Sequence, residues 1–173
     1  MDILLLRLIH IAAGAFWLGA VFTNFLFVQP AATAVGPDSA KFTYQLLHRR
    51  RMATALISSG ATTVIAGALL LIITSNGLDP DLLFGTSRLG FTLGGIAGVA
   101  TFAVGSLYVY PRSLIVERTL GRALAEGRPP TPEEQQLLRR VGGEARRAGW
   151  FVLAGLTVSV VAMATARLWV LVL

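Results

Sequence analysis

Residues 3–30 read ILLLRLIHIAAGAFWLGAVFTNFLFVQP. From Ile3 to Val28 the only full charge is Arg7, and the remainder is almost wholly apolar. A helix of about 20 apolar residues crosses the roughly 30 Å hydrocarbon core of a bilayer. The stretch therefore predicts a membrane span, without the basic leader and short core of a signal peptide. Within it, Arg7, His10, Gly14, Trp17, Val21 and Asn24 fall inside about 100° of arc at helical spacing. That face must look into a bundle or at a partner, because ionisable groups are costly in lipid.

The remaining sequence agrees with this reading. The 173 residues are 54% hydrophobic and only 14% charged. Soluble domains carry about 25% charge. Three further apolar stretches complete the set, giving spans at 3–28, 52–74, 89–110 and 150–172 in a single membrane domain, 1–173. The expected fold is an all-α membrane protein, an antiparallel four-transmembrane-helix bundle.

Orientation follows from charge. The connections 29–51 and 111–148 hold 12 of the 15 lysines and arginines, while NGLDPDLLFGTSR (76–88) holds Asp79, Asp81 and only Arg88. Basic loops stay on the cytoplasmic side, so both termini are expected outside. The net charge of +6 is accounted for by these loops and by anionic lipid, without nucleic acid.

The loops carry structure of their own. PDSAKFTYQLLHRRR can start the second helix before the membrane, with Asp38 or Ser39 as its cap. PRSLIVERTLGRALAEG continues the third span to near Gly127. Thr131–Glu134 (TPEE) offers a capping box with a first-turn proline, and the helix it starts is expected to be interrupted at Gly142–Gly143. Small residues at helical spacing, Gly60/Thr63/Gly67, Gly90/Gly94/Gly98/Thr101/Gly105 and Gly155/Ser159/Ala162, mark close helix contacts.

Arg7 and His10 lie about 6 to 11 Å below the outer end of the first span at 1.5 Å per residue. Arg88 opens the third span and Arg167 lies near the end of the fourth, both on the outer side, with Met163 one turn below Arg167. A neutral histidine ligates metal, and one histidine or a His/Met pair commonly holds haem iron. Arginine's fork suits propionate carboxylates. The set reads as His10 for iron, Met163 or a second protomer's His10 as second ligand, and Arg7, Arg88 and Arg167 for propionates. Gly14 would make room for the macrocycle and Trp17 would stack on it. Against this stand plainer readings, with Arg7 and Arg167 snorkelling to headgroups and His10 bonding a neighbouring helix. His48, in LLHRRRM at the cytoplasmic edge, is too far away to share an iron with His10 and reads as an interfacial cation. The absence of cysteine removes thiolate sites and iron–sulfur clusters. No hydrolytic residue set and no buried carboxylate pair is present.

RLIHIAAGAFWLGAVFTNFLFVQP, with its histidine, small residues, WLGA and closing proline, resembles the first span of the copper-resistance D (CopD) type of bacterial membrane domain and of the related HemJ proteins. The likeness extends loosely over all four spans. It implies a bacterial inner-membrane protein. The CopD-like branch implies copper uptake or resistance. The HemJ-like branch implies b-type haem and protoporphyrinogen oxidation, with the first-span histidine, here His10, as haem ligand and a lysine on a later span as its partner. The only lysine in this chain is Lys41.

The leading expectation is a b-type haem membrane protein acting in electron transfer or haem handling near the outer face. If it is an enzyme, it is a haem-dependent oxidoreductase with a redox partner. The alternatives are a copper transport or resistance protein and a structural subunit of a larger membrane complex. A homodimer is compatible with each.

Overall fold

The computed structural model describes residues 2–36, 39–85 and 88–171. Among these there is no strand, and four helices are long and apolar enough to cross a membrane. They are α1 (Ile3–Ala34), α3 (Met52–Thr74), α5 (Leu89–Ala125) and α6 (Pro132–Thr165, narrowing to a 3-10 helix over Ala166–Leu171). Between them lie α2 (residues 39–49) and the short α4 (Pro80–Phe84).

Local chemistry sets the limits of these helices. Asp2 caps α1 by accepting from the Leu4 amide at 2.9 Å. The helix then runs through Pro30, which cannot donate to the carbonyl one turn back. A wider π turn at Asn24–Val28 precedes it, and the Gln29 amide bonds back to Asn24. The same device precedes Pro111, where the π turn Gly105–Val109 keeps α5 continuous. Such bulges relieve a lost bond without ending the helix. α5 ends where Gly127 takes φ +63. There the Arg128 amide reaches the Ala123 carbonyl and the Gly127 amide reaches Leu124, a Schellman closure.

Two expectations change. α2 does not run into α3, because Arg51 adopts a left-handed conformation (φ 49) and separates them. Ser39 is the first helical residue of α2, and its other candidate cap, Asp38, lies outside the described residues, as does the expected span end at Val172. Gly142 and Gly143 do not interrupt α6, which is one helix of 34 residues. Each glycine costs about 1 kcal/mol of helix propensity. The neighbouring α5 offsets this: Leu120 and Ala123 on it and Val141 on α6 are all buried, and Arg112 donates Nε–H to Glu144 at 2.9 Å. At 1.5 Å per residue α5 and α6 are each about 50 Å long, so their paired ends project about 20 Å beyond a bilayer core.

The bundle is antiparallel throughout. His10 on α1 meets Gly67 on α3, and Trp17 meets Gly60. Phe102 on α5 also meets Gly60, and Arg88 reaches the Thr74 carbonyl. Gly90 meets Ala166, and Gly155 meets Thr101. Phe25 lies over Gly149, closing the ring of four helices. The tightest approaches are α1 with α3 and α5 with α6. A methyl on Gly90 would lie 2.7 Å from the Ala162 carbonyl oxygen, and Ser159 donates its hydroxyl to the Gly94 carbonyl at 2.7 Å. Gly90 and Gly94 therefore bring backbones together, as small residues do where lipid supplies no hydrophobic drive, whereas Gly60 and Gly67 receive side chains and Gly105, expected in the same stripe, meets nothing within 4 Å. Trp17, Val21, Val152, Leu153 and Leu156 form the buried core. Large apolar side chains such as Leu8, Ile65, Ile96 and Val158 face outward, which fits contact with a bilayer and a multi-pass membrane protein. Both chain ends lie at one end of the bundle, and the arginine-rich segments lie at the other.

Candidate functional site

His10 sits on the inner face of α1, half-buried, one turn below Leu6 and above Gly14. Its Nδ1 lies 2.8 Å from the Thr63 carbonyl oxygen on α3. A carbonyl only accepts, so the neutral ring carries its proton on Nδ1 and presents a lone pair at Nε2. The Thr63 hydroxyl turns away to the Ser59 carbonyl at 2.8 Å. Gly67 makes the room for the ring, since a Cβ there would lie 2.8 Å from His10 Cε1 and 3.0 Å from Nδ1. Nε2 has no hydrogen-bond partner among the described residues. Among the described residues, no side-chain nitrogen or oxygen shut off from the surface lacks a partner. His10 Nε2 therefore reaches the molecular surface.

The other candidate residues divide by location. Gly14 faces Thr63, whose Cγ2 would be 3.3 Å from an added Cβ, so it lets α1 and α3 approach. Trp17 is 5% exposed and meets Phe102 edge-on, with ring centroids 6.0 Å apart; it belongs to the core between the four long helices. Arg88 donates to the Thr74 carbonyl at the C-terminus of α3, where a cation complements the helix dipole. Met163 lies at about the depth of His10, but packs on Gly94 in the α5–α6 pair. Arg7 and Arg167 are exposed near the chain ends and make no ion pair among the described residues. The structure thus joins His10, Gly14, Thr63 and Gly67 into one contact. Arg7, Arg88 and Arg167 stand around the same end of the bundle without meeting it.

Thr63 and Gly67 were legible only as packing residues, because nothing in a G-x-x-T-x-x-x-G spacing says that it receives an imidazole. At the basic end, His48 Nδ1 lies 2.8 Å from Glu117 Oε1, and the Tyr44 ring stacks on His48 at 4.9 Å. Gly121 gives Tyr44 its place on α5. This clamp holds α2 on α5, most of a bilayer away from His10.

For a haem, His10 fits as an axial ligand. Metal-ligating histidines typically donate their other N–H to a carbonyl or carboxylate, which fixes the ring, and His10 does so to Thr63. A bare metal fits less well, because among the described residues no group of three His, Cys, Asp or Glu side chains comes together. Haem brings its own four nitrogens and needs only axial donors from the protein. Two shallow hollows open on the outer surface of the bundle. One, of about 410 Å³, lies beside Tyr108 and Arg147, and one, of about 380 Å³, beside Gly19 and Asn24. Neither includes His10.

Set against protein-family models, curated proteins and solved structures, the chain matches none.

Proposed function

We propose that this chain is an integral membrane haem protein with His10 Nε2 as axial ligand, acting in electron transfer or haem handling at the end of the bundle that carries the chain termini. The observation that carries the reading is the His10–Thr63 contact, which holds the ring in one orientation with its free lone pair at the surface. When bound, the haem iron would supply one-electron redox chemistry. The protein's part is to hold the ring and to place exposed cations, Arg7 and Arg167, at the same end for propionate charge. The basic segments support a cytoplasmic opposite end, with the termini then at the outer face of a bacterial inner membrane. Copper transport draws less support, because it calls for several soft donors along a path, and Met163 is committed to the other helix pair.

An absorption spectrum of the protein purified in detergent from haem-replete cells tests this. A Soret band is expected, lost in His10→Ala and kept in His48→Ala. A colourless protein that takes up no added haemin would end the haem reading. The same contact also favours a second reading, in which His10 clasps α1 to α3 in a structural subunit. Loss of thermal stability in His10→Ala without any pigment in the parent protein would select it.

A further inference from the structure

The hollow of about 380 Å³ runs along the lipid side of α1 from mid-membrane toward the basic end. Ala15, Gly19 and Thr23 recur along it at four-residue spacing, with Ala20 beside them and Phe16 and Met52 at its edges. Such spacing lets the backbone of another helix come close, but small residues facing lipid mark nothing by themselves. The deciding observation is Asn24. The residue is 9% exposed and lines the hollow, and its side chain makes no hydrogen bond among the described residues. Among the described residues, no polar side-chain atom shut off from the surface is unpartnered, so the Asn24 amide opens into the hollow. The Thr23 hydroxyl, also lining the hollow, likewise makes no hydrogen bond among the described residues. Elsewhere on the spans Thr62, Thr63, Thr101 and Thr157 return theirs to carbonyls of their own helix.

We infer that this hollow receives a second copy of this chain, with α1 packed against α1 in a two-fold dimer. Two copies in one membrane have the same orientation, so their first helices run parallel, as in close small-residue pairs. An amide offers donor and acceptor together, and so complements an identical surface across a two-fold axis. Acyl chains give it neither. The lining of the hollow carries no charge, so a charged headgroup finds no counter-ion there. Gly19 lies half a turn round the helix from His10, and Asn24, which shares the His10 face, lies 14 residues, about 21 Å of helix, further along. The dimer therefore leaves both His10 sites facing α3, and the inference does not rest on the haem reading.

The chain has no native cysteine, so single cysteines report directly. Full-length Ala15→Cys and Gly19→Cys in membrane vesicles should form disulfide dimers under mild oxidation. Ile65→Cys, on the 61% exposed outer face of α3, sets the collision baseline. Gly19→Leu fills space in which an added Cβ meets nothing within 4 Å, so the protomer should fold while the Ala15→Cys dimer falls about tenfold. Asn24→Leu should weaken the dimer as well. Gly95→Leu, another open position on α5, should leave it intact. Cross-linking at Ile65→Cys in place of Gly19→Cys, a dimer unchanged by Gly19→Leu, or no dimer above baseline at any position would overturn the proposal.

Discussion

His10 on α1 donates its Nδ1–H to the carbonyl oxygen of Thr63 on α3 at 2.8 Å, and its ring occupies the notch left by Gly67. The bond fixes the tautomer and the notch fixes the position. Gly67→Ala adds a methyl 2.8 Å from Cε1, so the ring must leave. A loss of roughly 1–3 kcal/mol is expected from overpacking, together with weaker binding of any ligand at Nε2. Gly95→Ala, which meets nothing within 4 Å, should gain up to about 1 kcal/mol from helix propensity. Thermal unfolding of both variants in one detergent checks the pair.

The α5–α6 contact should be less forgiving than the histidine notch. A Cβ at Gly90 would lie 2.7 Å from both the Ala162 carbonyl oxygen and the Ala166 Cα, and backbone cannot swing aside as a side chain can. Gly90→Ala is expected to cost at least as much as Gly67→Ala, on the order of 2–3 kcal/mol. An unfolding midpoint unchanged from the parent would show that the helices separate here at no cost.

The projecting start of α6 should respond to acid. Its Thr131 capping box lies some 18 residues, about 27 Å of helix, before the apolar part begins at Gly149, well outside the membrane. Hydrogen bonds from Arg128 and from the Thr131 amide lower the Glu134 carboxyl from an ordinary 4.5 to about 2. A depressed carboxyl stabilises the fold above its unfolded pKa and loses that contribution as pH falls. The hairpin tip should therefore loosen between about pH 4.5 and 2. Glu134→Gln should flatten that dependence, read by amide exchange at residues 131–137. Thr131→Ala should cost about 1 kcal/mol of cap at neutral pH.

The clamp on α2 should govern protease access to its hinge. Arg51 holds the left-handed turn after α2, and Tyr44, His48 and Glu117 keep the helix on α5. A partly exposed hydrogen bond of this kind is worth roughly 0.5–1 kcal/mol, so Glu117→Ala should speed tryptic cleavage at Arg49–Arg51 about two- to fivefold. Gly121→Leu displaces the Tyr44 ring, 2.8 Å from an added Cβ, and should act more strongly. Equal digestion rates in open vesicles would mean that α2 is held by other contacts.

Much of this architecture was written in local chemistry. Hydropathy over 3–28 and its three counterparts predicts four apolar helices, and the small-residue stripes predict where they touch. The capping box at Thr131 and the stop at Gly127 are likewise local signals, because a cap and a positive φ depend on a few neighbouring residues. The glycine pair at 142–143 misleads. Propensity argues for a break, but α6 continues because α5 supplies buried contacts and the Arg112–Glu144 pair. The break at Arg51 has the opposite character, since an arginine carries no signal for a left-handed turn.

The candidate site divides along the same line. The sequence by itself determined that His10, Gly14, Trp17 and Asn24 share a face of one membrane helix, since that needs only helical period. Tertiary structure alone decided what each of them meets. It put His10 against Thr63 and Gly67, Trp17 into the core, Arg88 on the end of α3, Met163 on Gly94, and the Asn24 amide into an open hollow. Periodicity fixes direction around one helix axis, whereas partners depend on the register between helices, and that register is set by many weak backbone contacts that no single residue encodes.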